Sequence, residues 1–413
     1  MYTTENRVIP FSPPDITDVE INEVVDTLKS GWITTGPKTK KLEAQLARYV
    51  GTNKLCCLNS QTAAGELSLR LLGIGPGDEV ITSAYTYTAT ASVIDHVGAK
   101  IVLIDCQEHS LEMDYDALEA AITPRTKAII PVDLGGIPCD YQRIFAIAER
   151  KKTMFHASSH TALGQRLQES LGRVAIISDA AHALGASYRG RMVGAIADFT
   201  NYSFHAVKNF TTGEGGAITW RGFPGIDDEE LYRQLQLYSL HGQSRDALEK
   251  TKQGAWEYDV VGTWYKCNMT DIMASLGLGQ LSRYPELLAR RKAMIERYDA
   301  AFKPMGIEVL PHYTENYRSS GHLYMTRIPG ITMEQRNEII CNMAKLGVVT
   351  NVHYKPLPMH TAYRELGFDI AEYPHAYAHY TNEVTLPLHT KLTDEDVDYV
   401  ISAYRRVVEP YLA

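Results

Sequence analysis

Cysteine is scarce in this 413-residue chain: six residues, Cys56, Cys57, Cys106, Cys139, Cys267 and Cys341, none in a C-x-x-C pair. That spacing offers neither a disulfide framework nor a zinc site, and the thiols read as reduced. Basic charge is not in excess either. Lysine and arginine total 41 against 49 acidic residues, a formal net charge of -8. This excludes binding dominated by nucleic acid or an anionic membrane, though not a local pocket for one phosphate. No apolar run approaches ~18 residues, so no transmembrane helix is read. Residues 1–14 are polar and Pro-rich, with no basic stretch leading into an apolar one, and read as no signal peptide. Internal repeats and low-complexity tracts are missing as well. The expectation is a soluble, cytoplasmic enzyme or binding protein.

What is present is ordinary globular material, 45% hydrophobic and 22% charged. The length implies two or three domains at ~150 residues each. Residues 15–30 carry apolar positions at helical spacing and stop at Gly31; residues 42–49 repeat the pattern and stop at Gly51. Gly36-Pro37 between them reads as a loop. Short apolar runs then follow at 55–58, 79–82, 100–104, 128–132, 174–177, 201–204 and 216–219. Helix-like segments at 63–72, 88–97, 115–121 and 144–150 separate most of them. Strands alternating with helices predict a mostly parallel sheet covered on both faces.

The expected division is a large α/β domain over 1–265 and a smaller α+β domain over 266–413. Residues 151–172 break the rhythm and read as an insertion ending in a short helix. They are either a surface excursion or a lid near the substrate. After Thr270 a helical period runs to about Tyr298. Strand-like pieces at 308–310 and 322–327 and helices at 333–346 and 394–408 follow.

Four short segments carry candidate chemistry. In Ser178-Asp179-Ala180-Ala181-His182, an apolar strand delivers Asp179 to its carboxyl end, the edge where open parallel sheets bind ligands. Asp179 either faces a ligand or caps a following helix. In Ser203-Phe204-His205-Ala206-Val207-Lys208-Asn209-Phe210, the lysine sits among apolar neighbours rather than in a charged surface stretch. Desolvation lowers a lysine pKa and frees its amine as a nucleophile. Asn59-Ser60-Gln61-Thr62-Ala63 lies between a strand and a helix, where hydroxyl residues either cap the helix or help hold a phosphate. Tyr87, in Thr86-Tyr87-Thr88-Ala89-Thr90-Ala91, either packs internally or lies against a planar ring. Together these supply what pyridoxal 5'-phosphate needs: a lysine, a carboxylate, an anion site and an aromatic face.

The order Ser-x-Thr-Ala, Thr-Tyr-x-Ala-Thr-Ala, Asp-Ala-Ala-His-x-Leu-Gly-Ala and Ser-Phe-His-x-Val-Lys-Asn-x-Thr-Thr-Gly-Glu-Gly-Gly resembles the DegT/DnrJ/EryC1/StrS family of sugar aminotransferases. The resemblance runs from about Ile9 to the C-terminus. It implies the aspartate aminotransferase fold, the pyridoxal-phosphate transferase fold type I. It makes Lys208 the Schiff-base lysine, Asp179 the partner of the pyridine nitrogen, and His182 the residue approaching the phenolic oxygen. Tyr87 is implied to stack on the ring. The turn at Ser60, with Thr62 and Ala63, is implied to cradle the phosphate, and Ser203 to touch it. Asn268 resembles an asparagine that reaches the phosphate of a neighbouring subunit, which implies a homodimer with shared active sites. Read from the residues alone, Asn268 is alternatively a helix cap or turn residue. The segments 353–358 and 386–389 match the C-terminal part of the family, and the first borders the sugar site there. Their prolines alone also account for a loop.

The implied reaction moves an amine from an amino acid, L-glutamate, to a keto group on a nucleotide-linked deoxysugar. A cyclitol ketone as acceptor, or a catalytically silent binding protein, is the alternative. Sugar dehydratases of the family replace the lysine with histidine, and position 208 is lysine. Two departures bear on the acceptor: Asp133-Leu134-Gly135-Gly136 stands where members often carry His-x-x-Gly, and residues 151–172 are atypical.

Overall fold

The computed structural model describes residues 7–245 and 257–412. Its main sheet has seven strands: β1 (Leu55–Leu58), β2 (Glu79–Ser83), β3 (Lys100–Ile104), β4 (Thr126–Ile130), β5 (Ala175–Asp179), β6 (Phe199–Ser203) and β7 (Gly216–Trp220). All seven predicted strands are there, with ends displaced by up to two residues. The spatial order is β3-β2-β4-β5-β6-β7-β1. Neighbours from β3 through β6 pair in parallel, whereas β7 runs antiparallel to both β6 and β1. The short 204–215 connection leaves no room for a helical crossover, so β7 must return antiparallel.

Side chains alternate across this sheet. Val80, Ile130 and Ile177 join Leu67 and Ile94 in one core, while Ile81, Ile129 and Ile176 join Ile144 and Ile147 in another. Leu67 and Ile94 belong to α3 (Gln61–Leu71) and α4 (Thr88–His96). Ile144 and Ile147 belong to Tyr141–Arg150, labelled α5. Every residue of β2, β4, β5 and β7 is buried, as a sheet covered on both faces requires.

Two earlier helices pack beside the sheet, α1 (Asp18–Ser30) and α2 (Pro37–Val50). The expected loop at Gly36-Pro37 is corrected: Pro37 opens α2. Proline is tolerated there because the first helical N–H groups need outside partners. Those partners come from far along the chain. Asp271 Oδ1 accepts the N–H of Gly36 at 2.8 Å and of Thr39 at 2.9 Å, and Oδ2 accepts that of Lys38 at 3.0 Å.

Residues 151–172 lie away from any substrate at the strands' carboxyl edge. Lys127, beside the amino end of β4, donates to His156 O, and Gln168 donates to Leu72 O at 2.8 Å. The helix α6 (Ala162–Leu171) buries Leu167 in the same core as Leu67. The segment is thus the second half of the β4–β5 crossover, at the opposite edge, and the lid expectation is corrected.

The long helix α7 (Asp271–Phe302) starts against the first unit and ends in the second. Leu278 and Leu287 pack with Leu42 and Phe204, whereas Met294, Tyr298 and Phe302 pack with Tyr324 and Val384. The change of core falls between Leu287 and Met294. The second core contains the antiparallel sheet β8 (Glu308–Val309), β9 (Tyr324–Arg327) and β10 (Glu383–Leu386), with α8 (Met333–Lys345) and α9 (Asp394–Val408). Ile9 also belongs here, bridged to Val348. Among the described residues, no helix is long and apolar enough to cross a membrane.

Asp271 is 1% exposed. Replacing it with alanine strands several buried N–H groups of α2, so Asp271→Ala should cost about 2–3 kcal/mol. A urea melt would show a lower midpoint; an unchanged midpoint would remove the capping role.

Candidate active site

Five chain turns meet at the carboxyl edge of the parallel strands. Asp179 ends β5 and is 5% exposed. Its Oδ2 accepts Thr90 Oγ1–H at 2.6 Å, and its Oδ1 accepts the Ala181 N–H at 3.1 Å. No helix follows Asp179, so the capping alternative falls away. Burial pushes its pKa up; Thr90, Ala181 and the Lys208 charge pull it back. Thr90 was not singled out from the sequence. It sits one turn into α4 from Tyr87, and that i, i+3 spacing is the signal that was there to read.

Lys208 follows β6 in a pinned turn. Phe204 N–H donates to Gly215 O at 2.8 Å, and Thr212 N–H to Phe204 O at 2.9 Å. The buried rings of Phe204 and Phe210 meet edge-on at 4.8 Å. Lys208 itself is half-buried. Desolvation lowers its pKa to about 8, with the Asp179 charge opposing the shift. An amine with that pKa is partly neutral near pH 7, the state in which it attacks a carbonyl.

Ser60 is the N-cap of α3, its Oγ accepting Ala63 N–H at 3.1 Å. Thr62 and Ala63, both half-buried, form the first turn. This positive helix end suits an anion. The Gly215-Gly216 pair has a steric origin here: a Cβ on Gly216 would stand 2.3 Å from the Ser60 carbonyl carbon. Ser203, half-buried at the end of β6, accepts His205 N–H at 3.4 Å. Tyr87 holds the N-cap position of α4 without capping it, and its ring is 60% exposed, not packed internally. Asn268 bridges Leu58 and donates to Thr35 Oγ1 at 2.5 Å, which seats it beside the Ser60 turn of its own chain. The cap of α7 is Thr270, so Asn268 is not a helix cap.

His182 lies under the Asp133–Gly136 turn and is buried. Its Nδ1 accepts the Gly135 N–H at 3.1 Å, and its Nε2 is 3.2 Å from Tyr354 Oη. The His322 ring is 4.2 Å away, and His322 Nδ1 donates to Asn209 Oδ1 at 2.8 Å. Burial, with the Lys208 charge nearby, holds His182 and His322 neutral, and lowers His353 to about 3. His322 escaped notice because it reads as the first residue of a strand, whereas β9 starts at Tyr324. Asp133 is fully buried, taking Tyr141 O–H at 2.7 Å, Ser178 O–H at 2.8 Å and Cys139 N–H at 2.9 Å, with its pKa pushed up by burial to about 7.

A lysine of lowered pKa, a buried carboxylate, a helix N-terminus and an exposed aromatic face on one rim fit a phosphorylated aromatic aldehyde. Among the described residues, no cluster of three or more His, Cys, Asp or Glu side chains is placed to hold a metal.

A sequence model of the DegT/DnrJ/EryC1/StrS aminotransferase family matches residues 14–175 and 169–405. The chain belongs to this family. It is a pyridoxal-phosphate-dependent aminotransferase of fold type I. Spr1654 of Streptococcus pneumoniae, assigned as a sugar aminotransferase, is 59% identical in its apo form, with a TM-score of 0.93 over 98% of this chain and 99% of that one. Spr1654 is also solved in forms with pyridoxal phosphate and pyridoxamine phosphate. The spore coat polysaccharide biosynthesis protein SpsC of Bacillus subtilis (strain 168) is 38% identical over 99% of each chain. Helicobacter pylori PseC, an aminotransferase of pseudoaminic acid biosynthesis, is 26% identical with a TM-score of 0.83, covering 98% of this chain and 100% of that one.

For this aminotransferase, amine-directed labelling of the apoprotein should show one fast lysine whose rate rises through pH about 8, the value burial imposes on Lys208. Lys208→Ala should abolish that phase; a midpoint near 10 would oppose the desolvated setting.

Proposed function

We propose that this aminotransferase acts on sugars, moving an amine from L-glutamate to a keto group on a nucleotide-linked deoxysugar. The observation that carries the reading is Lys208, desolvated to a pKa of about 8 and set in the field of the buried Asp179. The 59% identity to Spr1654 and the 38% identity to SpsC support a sugar as the acceptor.

Lys208, Asp179, Tyr87, Ser60, Thr62, Ala63 and Ser203 are the residues proposed to hold pyridoxal phosphate. When bound, it supplies an aldehyde that carries the amine and a ring that accepts electrons. Asp179 keeps a proton on the ring nitrogen. Its own donors, Thr90 and Ala181, favour the carboxylate form and oppose the rise in pKa that burial imposes. Lys208 Nζ, once neutral, would take a proton from the substrate carbon and deliver it to the cofactor carbon bonded to the transferred nitrogen. The N-terminus of α3 and Ser203 anchor the phosphate, and Tyr87 covers the ring.

We also propose a homodimer, located in the cytoplasm. Ile21, Val25 and Leu28 are exposed on one stripe of α1, and Tyr258, Val260, Val261 and Tyr265 are exposed shortly before Asn268. A second copy covers such a face. Asn268, seated between that segment and the Ser60 turn, is proposed to reach the partner's phosphate site.

The purified protein should absorb near ~420 nm with pyridoxal phosphate, and L-glutamate should bleach the band. A band that ignores glutamate would overturn the donor. Asp179→Asn should retain part of the cofactor binding and lose roughly 10²-fold or more in turnover; retained wild-type turnover would remove its role. Light scattering should give twice 46.1 kDa. A mass of one chain would refute the dimer.

A further inference from the structure

Lys208 is followed directly by Asn209, whose side chain is buried. Both polar atoms of that side chain meet the loop that leads into β9. Asn209 Nδ2 donates to the Ser320 carbonyl at 2.8 Å, and Oδ1 lies 2.8 Å from His322 Nδ1. A carbonyl only accepts, so the amide faces the loop in one sense alone. Burial keeps the His322 ring neutral, with a single proton, and that proton must sit on Nδ1 to reach Asn209 Oδ1. The amide is thus fixed from two directions, and with it the backbone that carries Lys208.

The same loop holds other turns of the site. Ser320 N–H donates to Gly136 O at 3.0 Å, Ser320 O–H to His182 O at 2.5 Å, and His322 N–H to Gly135 O at 3.0 Å. The approach is close. A Cβ on Gly136 would stand 2.1 Å from Ser320 Oγ, and its φ of 90 strains any other residue. From the far side, α7 anchors the loop through the buried Arg291. Its Nη1 donates to the carbonyls of Gly321, His322 and Leu388, at 3.3, 3.4 and 2.8 Å. The Gly135-Gly136 turn, His182 and the lysine turn are therefore all tied to one loop, and that loop is tied to α7.

We propose that Asn209 is a positioning residue for Lys208: clamped by His322 and Ser320, it holds the lysine turn down so that Nζ stays within the site when it is free of the cofactor. This rests on Lys208 as the reacting amine, the reading given above. A lysine side chain is long and flexible, and a loose turn would let Nζ swing into water. Hydration favours the charged form, which cannot attack a carbonyl or take a proton.

The test is amine-directed labelling of the apoprotein against pH, which needs no cofactor. In the wild type the fast phase belongs to Lys208, with its midpoint near pH about 8. Asn209→Ala should raise that midpoint by about one pH unit, a tenfold change in proton affinity, as the amine gains water. Two substitutions at His322 separate the bond from the bulk of the ring. His322→Asn places an N–H donor where Nδ1 stood, whereas His322→Gln places one where Nε2 stood. Both remove the ring and its 4.2 Å contact with His182. The Asn variant should keep the wild-type midpoint, and the Gln variant should follow Asn209→Ala. Equal midpoints in the two His322 variants would overturn the proposal, as would an unmoved midpoint in Asn209→Ala. If Asn209→Ala does not fold, the His322 pair decides alone. A wild type without the fast phase is a distinct result: it would remove the desolvated lysine itself, and the proposal with it.

Discussion

An ionised carboxylate at the bottom of a protein site must be surrounded by donors, or it takes up a proton. Asp179 meets that condition through Thr90, which reaches it at 2.6 Å. The two residues come from different crossovers. Asp179 ends β5, Thr90 lies in α4 after β2, and β4 stands between those strands. The spatial order β2-β4-β5 is therefore a chemical requirement as well as a packing one. The neighbouring Lys208 is held by the same logic with the sign reversed: burial lowers its pKa, and the Asp179 charge limits the fall.

The histidines around this pair extend the electrostatic pattern. His182, His322 and His353 all lie close enough for the lysine charge to disfavour their protonation. A rim of neutral imidazoles provides directed hydrogen bonds without adding positive charge beside Lys208. Full charges there would compete for Asp179 and lower the lysine pKa further. Gly135, at φ 66, supplies the N–H that orients His182. This gives the Asp-Leu-Gly-Gly turn a role that its departure from the family's usual segment did not suggest.

Much of this was legible in the sequence because strand and helix periods are local. The seven strands, α1, the lysine turn and Asp179 announce themselves through apolar runs and the residues that end them. Partners drawn from far away did not. The cap of α2 comes from Asp271, more than two hundred residues on, so Pro37 looked like part of a loop. Residues 151–172 looked like an excursion because their polarity hides one buried leucine, Leu167, which ties the segment to the sheet. Tyr354 was visible as part of a proline-rich segment resembling one that borders the sugar site, but its contacts with His182 and Tyr87 were not, since these come from other elements.

The path of the chain between the two cores has a consequence for dissection. Ile9 enters the second core before the first has been built, and α7 later passes from one core to the other as a single continuous rod. The two cores are thus joined by two covalent threads rather than one hinge. No single cut yields two intact folding units. A fragment beginning after the large sheet would leave the site of Ile9 unfilled, while one ending there would lose the half of α7 that covers Leu42 and Phe204. The chain therefore ties its two cores into one body that no single break separates.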